Sequence, residues 1–153
     1  MKKILLALLI IIPVVFITCK SGNSDSAVLK SETGSEVSAM SNELFKKMIF
    51  DYAPGKQWEN SSGKPIIIDF YADWCVPCRK LSPIVEELAK EYAGKLVVYK
   101  VDIDKERELA ENMRITAVPS LMFIPANGKP AISRGLISRK DLVSAINELL
   151  LIK

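Results

Sequence analysis

The sequence predicts an α/β domain that follows an N-terminal extension. Two apolar runs rich in β-branched residues, Ile66–Tyr71 and residues 96–101, are too short for typical helices and indicate buried strands. Between them, residues 79–92 carry apolar side chains at helical spacing, which predicts an amphipathic helix. The pair Asn127-Gly128 separates the segments Ser120–Ile124 and Ala131–Arg134 and predicts a β-hairpin. Strands that alternate with helices in this way are typical of an α/β fold.

The other elements are predicted from capping and turn residues. Serine and asparagine are favoured at helix N-termini, and glycine or proline at helix ends. In the first half of the domain, Ser41 or Asn42 caps a predicted helix that ends at Pro54-Gly55. Its inward side chains are Leu44, Phe45, Met48, Ile49 and Tyr52. A strand opened by Pro65 follows, and then the helix 79–92, which contains Pro83 and ends at Gly94. In the second half, the strand 96–101 is followed by a helix over 102–112, whose charges at 104–108 are expected to form a solvated face. The hairpin strands Ser120–Ile124 and Ala131–Arg134 come next. Ser138 with Asp141 caps the last helix, whose side chains on the sheet are Leu142, Ile146, Leu149 and Leu150.

The motif Cys75-Val76-Pro77-Cys78 stands where the strand Ile66–Tyr71 gives way to the helix 79–92. Cys75 is therefore expected at a helix N-terminus, where unpaired backbone N–H groups and the helix dipole favour a thiolate over a thiol. Two thiols three residues apart in a first helical turn can close a small disulfide and reopen it. We interpret the motif as a site of dithiol–disulfide exchange.

Two other interpretations of this cysteine pair stay open. Structural zinc needs four ligands, usually cysteines and histidines, but the chain has no histidine and its third cysteine, Cys19, lies in the N-terminal extension. A purely structural disulfide between Cys75 and Cys78 would close a very short loop, which constrains the unfolded chain little. Both alternatives are weaker than redox exchange.

Residues 68–78 resemble the active-site segment of thioredoxins, and the resemblance extends over residues 64–150. It implies a thioredoxin fold, with a central mixed β-sheet flanked by helices on both faces. It also implies that Cys75, exposed at the helix start, is the nucleophile and Cys78 the resolving cysteine of a redox-active disulfide. The family usually has glycine where this chain has Val76, a departure that affects the redox potential but not the chemistry.

Asp69 is a carboxylate inside an otherwise apolar strand. If the side chain is buried, its pKa should rise, because burial disfavours the charged form; strand alternation could instead turn it to solvent. In thioredoxins a buried aspartate beneath the disulfide moves protons to and from the inner cysteine, with a lysine nearby. The resemblance therefore implies proton transfer by Asp69, with Lys100 as its partner.

The resemblance also implies a substrate groove around the disulfide. Val118-Pro119 should be a cis peptide bond that leaves the backbone N–H and C=O of Val118 exposed, so that an extended substrate segment pairs with them as an added strand. Gly135 matches a family glycine beside the groove, where a missing side chain permits close approach. Trp74 and Pro77 are expected to complete its lining.

The first residues predict export from the cytoplasm. Lys2 and Lys3 precede an apolar run at 4–18, which is about 15 residues long and short of the roughly 20 that span a bilayer. Cys19 follows, and a cysteine at this boundary resembles the acceptor of a bacterial lipoprotein, which is anchored by diacylation. Cleavage after Ser26 and an uncleaved anchor are the alternatives, and all three place the domain outside the cytoplasm.

The domain organisation follows from these boundaries and from composition. Residues 1–19 are the predicted export segment, residues 20–41 a flexible polar tether, and residues 42–153 the thioredoxin-like domain. A short edge strand around Val37 is an alternative for the end of the tether.

The sequence favours a protein-disulfide reductase in the cell envelope or periplasm. Strong oxidases of the family often have a histidine between their cysteines, and Val76-Pro77 lacks one; Asp69 and Lys100 also favour a reductant. An oxidase or isomerase, or a binding module that uses the groove near Pro119, are alternatives. The expected partners are protein disulfides, a membrane-embedded electron donor and a membrane tether, without cofactor or metal. A net charge of +3 with no basic run predicts no nucleic-acid binding, and a monomer is expected.

Overall fold

The computed structural model describes residues 37–150. Within them strands and helices alternate, and the strands lie within one residue of their predicted positions. In chain order the elements are β1 (Ser38–Ala39), α1 (Asn42–Met48), β2 (Ile66–Tyr71), α2 (Val76–Glu91), β3 (Val97–Asp102), α3 (Arg107–Asn112), β4 (Ser120–Ile124), β5 (Ala131–Arg134) and α4 (Arg139–Leu149).

The strands form a mixed five-stranded sheet in the order β1-β3-β2-β4-β5. β1, β3 and β2 are parallel, whereas β4 runs antiparallel to both β2 and β5. The connection from β2 to β3 passes through α2, as a parallel crossover requires. Gly128 turns the β4–β5 hairpin with φ of 117°, a conformation that favours glycine. The α/β fold with a mixed sheet is thus confirmed.

Helices cover both faces of the sheet, and each face has its own apolar core. Leu81 of α2 and Ile146 of α4 belong to one core, and Phe45 of α1 and Leu109 of α3 belong to the other. Successive side chains of a strand point to opposite faces, and Ile67 lies in the first core. The odd-numbered residues of β2 therefore face α2 and α4.

The first and last helices differ from prediction in their apolar contacts. α1 ends at Met48 rather than beyond Tyr52, because the Ile49 carbonyl accepts a hydrogen bond from the Ser61 backbone N–H at 2.8 Å instead of continuing the helix. Met48, the last residue of α1, is exposed, and Tyr52 lies beyond the helix. In α4, Leu149 is also exposed; it is the last residue of the helix, one turn beyond the buried Ile146.

The charged segment before α3, which was predicted to be part of the helix, is a turn between β3 and α3. α3 begins at Arg107 because Asp102 still belongs to β3 and its carboxylate binds the Asp104 backbone N–H and the Lys105 ammonium. Glu108 binds the Asn42 side chain of α1 at 2.9 Å. These charges therefore hold the turn and join α3 to α1.

The end of the predicted tether belongs to the sheet. Ser38 pairs with Tyr99 and Ala39 with Lys100, and the Met40 backbone N–H donates to the Lys100 carbonyl at 3.0 Å. The edge strand considered around Val37 is therefore present at Ser38–Ala39. Paired backbone groups and the buried Met40 side chain hold this segment to β3.

The predicted export segment, with its lipidation candidate Cys19, lies outside the described residues. Among residues 37–150, none of the helices combines the length and the apolar character that spanning a bilayer requires.

Candidate active site

The cysteine motif forms the start of α2, as predicted. Cys75 is the N-cap residue, and its sulfur accepts a hydrogen bond from the Cys78 backbone N–H at 3.2 Å. Val76 and Pro77 occupy the first turn, where the missing N–H of a proline costs no helical hydrogen bond. Cys75 and Cys78 are joined by a disulfide, with their Cα atoms 5.3 Å apart. The Cys75 sulfur thus lies at the positive end of the helix dipole, which favours its thiolate form.

The disulfide is more buried than the sequence suggested. Cys75 was expected to be exposed, but its exposed fraction is 3%, close to the 2% of Cys78. Tyr71, Ile103 and Val118 pack around the two cysteines and account for this burial. The pair therefore lies in an apolar cluster, where a charged sulfur is poorly solvated and depends on the helix N-terminus for stabilisation.

Asp69 is buried on the face of the sheet against which α2 packs. Its exposed fraction is 2%, and its Oδ1 atom has no hydrogen-bond partner among the described residues. Burial raises the pKa of Asp69 from 3.8 to about 6, and the positive charge of Lys100 opposes that rise. The predicted burial and raised pKa are both present, and the solvent-facing alternative was wrong.

Lys100 is the neighbour of Asp69 across β3 and β2. The two residues are paired in the parallel register, so their side chains share a face of the sheet. Among residues 37–150, however, no ion pair joins them within 4.0 Å. The Lys100 Nζ atom instead lies 4.7 Å from the centroid of the Tyr71 ring.

The Val118-Pro119 peptide bond is cis, as the resemblance implied. Val118 packs against the cysteine cluster, and its backbone N–H and C=O make no hydrogen bond within the described part of the chain. The Pro119 carbonyl accepts a hydrogen bond from the Gly135 backbone N–H at 2.8 Å, so Gly135 lies beside Pro119. The structure thus brings Val118 to the disulfide and Gly135 to the adjoining loop.

Trp74 is the most exposed large apolar residue at the site, at 65%. Its indole Nε1–H donates to the Asp104 carboxylate at 2.8 Å, across 30 residues of sequence. The Asp104 backbone N–H is itself held by the Asp102 carboxylate at 3.0 Å. The sequence analysis missed this role of Asp104, and no local pattern could have identified it, because the contact depends on how the β3–α3 turn meets α2.

The site holds reactive sulfurs, a carboxyl of raised pKa and unpaired backbone groups. Over residues 37–150, no three histidine, cysteine, aspartate or glutamate side chains gather where they could bind a metal ion.

Comparison with known proteins gives a consistent result. The family model described as Thioredoxin matches residues 39–148. A thioredoxin of Borreliella burgdorferi is 39% identical over 110 residues, which cover 72% of this chain and 94% of that protein. A thioredoxin of Buchnera aphidicola is 37% identical over 92 residues, covering 60% of this chain and 84% of the relative.

The solved structures support the fold. A mutant thioredoxin from Halobacterium salinarum superposes with a TM-score of 0.62 at 24% identity, over 80% of this chain and 98% of that one. Thioredoxins act on the disulfide bonds of proteins, and the bonded cysteines of this chain occupy a helix N-terminus suited to that exchange. The chain belongs to the thioredoxin family and is a thioredoxin-type disulfide oxidoreductase.

Proposed function

We propose that this chain reduces protein disulfides outside the cytoplasm by exchange at Cys75 and Cys78. The observation that carries the proposal is the Cys75–Cys78 disulfide at the N-terminus of α2, packed against Val118, whose backbone polar groups are unpaired. A disulfide at a helix N-terminus has a leaving thiolate that the helix stabilises, and unpaired backbone groups beside it can align a substrate chain.

The reaction proceeds by two exchanges. In the reduced protein the Cys75 thiolate attacks one sulfur of the substrate disulfide, which forms a mixed disulfide and releases the other substrate sulfur as a thiolate. The Cys78 thiolate then attacks the Cys75 sulfur, closing the Cys75–Cys78 disulfide and releasing the second substrate thiol. Two electrons pass to the substrate, and the protein is oxidised.

Asp69 takes up the proton that Cys78 loses before its attack, through water. Its pKa of about 6 suits this role, because the carboxylate is ionised at neutral pH yet takes up a proton at little cost. Lys100 stabilises the ionised form from the neighbouring strand.

The substrate binds as an extended segment beside Val118. Its backbone pairs with the N–H and C=O of Val118, and Gly135 allows it to approach closely. The exposed side chains of Trp74 and Val76, at 65% and 54%, provide apolar contacts on the other side of the disulfide. Pro77, also exposed, completes the groove and lacks the N–H that would need a partner.

The residues at the site favour reduction of the substrate over its oxidation. Strong oxidases of the family often have a histidine between the cysteines, which stabilises the thiolate. This chain has Val76-Pro77 there. The buried Asp69 also supports proton removal from Cys78, which the reducing direction requires. An oxidase or isomerase is the alternative, and it differs in the potential of the cysteine pair.

The N-terminal residues support the proposed envelope location, and that location suggests the source of electrons. Lys2, Lys3 and the apolar run at 4–18 have the pattern of an export signal, and Cys19 has the position of a lipidated cysteine. Two acyl chains would anchor the domain to a membrane. A reductase held there receives its electrons from a membrane-embedded donor, since no cofactor is expected in this domain.

The equilibrium reduction potential of the Cys75–Cys78 pair tests the direction. Thioredoxin itself, the reference case, has a potential of about −270 mV, and the most oxidising proteins of this fold about −120 mV. We expect a value near the first, measured in the full-length protein against a dithiothreitol series. A value near −120 mV would make the protein an oxidase or isomerase.

Membrane fractionation of Cys19→Ser tests the tether: loss from the membrane fraction supports lipidation, and retention contradicts it.

A further inference from the structure

The Lys100 ammonium has two carboxylates on its own face of the sheet and is paired with neither. Asp69 is its register partner on β2, and Asp102 is two residues along β3. Asp102 is already held by Lys105, whose Nζ atom lies 2.7 Å from Oδ2. The Lys100 Nζ atom lies 4.7 Å from the Tyr71 ring centroid instead.

A cation over an aromatic face is attracted by the ring's negative quadrupole, and the attraction strengthens when the cation is shielded from water. Lys100 is partly buried, and Tyr71 packs against the cysteine cluster, so the ring is held in place. Tyr71 follows Asp69 by two residues in β2 and shares its face. The ring thus offers the ammonium a position along the strand, away from the Asp69 carboxylate.

We propose that Tyr71 is a positioning residue that holds the Lys100 ammonium over its ring and out of a direct ion pair with Asp69. The Asp69 carboxyl thereby remains able to gain and lose a proton. The importance of this freedom rests on the proposed role of Asp69 in the reduction of protein disulfides. A direct ion pair would fix the carboxylate in its charged form and weaken it as a proton acceptor.

Among residues 37–150, few charged groups act on this site. Lys100 is the charge that acts on Asp69 from β3, and the cysteines of α2 are joined in the disulfide. On the other side, β4 contributes Leu121 as the register partner of Asp69. The charges that act on Tyr71, besides Asp69, are those of Asp102, Lys105 and Asp73. Lys100 is therefore the group through which Tyr71 can influence Asp69 electrostatically.

The first experiment follows the Asp69 carboxyl by ¹³C NMR as a function of pH in the oxidised full-length protein. Tyr71→Leu removes the aromatic face and keeps an apolar side chain, so the ammonium can reach Asp69. We expect the titration midpoint of Asp69 to fall by about 1 pH unit, since an opposite charge at close range lowers a carboxyl pKa by about that much or more. Tyr71→Phe is the matched control: it retains the ring, and the midpoint should stay within about 0.3 of the wild-type value.

Lys100→Met separates an effect through the lysine from a change in the burial of Asp69. If Tyr71 acts through Lys100, Tyr71→Leu should leave the midpoint unchanged when it is introduced into the Lys100→Met variant. A fall of the same size in both backgrounds would mean that the ring acts by excluding water, and it would overturn the proposal. An unchanged midpoint in the single Tyr71→Leu variant would overturn it as well.

A second measurement does not depend on the folding of Tyr71→Leu. Because Lys100 makes no direct ion pair with Asp69, Lys100→Met alone should raise the Asp69 midpoint by less than about 1 pH unit. A larger rise would show that the ammonium already pairs with the carboxylate, contrary to the proposal.

The pH dependence of disulfide reduction distinguishes failure of this proposal from failure of the proposed function. If Asp69 accepts the Cys78 proton, the acid limb of the rate profile should move with the NMR midpoint in Tyr71→Leu, and the part of the limb that follows this midpoint should be absent in Asp69→Asn. A profile that stays unchanged while the NMR midpoint moves would remove Asp69 from the reaction but leave the positioning by Tyr71 standing.

Discussion

Replacement of Asp69 by asparagine should stabilise the folded protein at neutral pH. The folded-state pKa of about 6 lies above the ordinary value of 3.8, so the folded protein binds the proton more tightly than the unfolded chain does. The stability associated with the protonated carboxyl is present below pH 3.8 and is lost as the pH rises through 6. At about 1.4 kcal/mol per pH unit, the gap corresponds to about 3 kcal/mol. Asparagine has nearly the same shape and does not ionise, so Asp69→Asn should avoid this loss.

Urea unfolding of the oxidised full-length protein between pH 4 and pH 8 measures the effect. The two proteins should have similar free energies of unfolding near pH 4, and Asp69→Asn should exceed wild type by about 3 kcal/mol at pH 8. Asp102→Asn is the matched control, because Lys105 lowers the pKa of that nearly buried carboxyl. Its substitution should destabilise the protein at neutral pH and less so in acid. A constant difference between Asp69→Asn and wild type across this range would refute the reasoning.

Three further substitutions test contacts at the site and in the fold. Asp104→Ala removes the acceptor of the Trp74 indole N–H, which should then exchange with solvent about tenfold faster by NMR, whereas Asp104→Asn should retain most of the protection. Leu81→Ala empties a fully buried position of α2 and should lower the free energy of unfolding by about 2–5 kcal/mol, against less than about 0.5 kcal/mol for the exposed Glu86→Ala on the same helix. Ser138→Ala removes the N-cap of α4 and should cost about 1 kcal/mol in the same unfolding assay, most of which Ser138→Asp should restore; equal losses in both variants would contradict a capping role.

The sequence predicted the elements whose signals are local. Apart from Asp69, the run Ile66–Tyr71 is apolar on both faces, and it is bounded by a proline, so its assignment as a central strand needed no tertiary information. Ser138 with Asp141 marked the start of α4 in the same way, and the serine hydroxyl caps the helix as predicted. The cysteine motif was located because a strand and a helical period meet at it.

Features that depend on contacts distant in sequence could not be predicted. α1 ends at Met48 because the Ser61 N–H, well beyond the predicted helix, binds the Ile49 carbonyl. Asp104 belongs to a run of charges that resembles a solvated helix face, and its contact with Trp74 depends on the position of the turn after β3. The burial of Cys75 likewise depends on side chains from the β3–α3 and α3–β4 connections, including Val118.

The position of Asp69 is better explained by chemistry than by stability. An apolar side chain like that of Ile67, on the same face of β2, would bury without the cost of ionisation at neutral pH. A carboxyl there supplies a group that changes protonation near neutral pH on the face of the sheet that α2 covers. The separation of the Lys100 ammonium from that carboxyl follows the same logic, because a close ion pair would recover stability at neutral pH by fixing the charged form. The burial of Asp69 and the lack of a direct ion pair with Lys100 thus both allow the Asp69 carboxyl to gain and lose a proton near neutral pH.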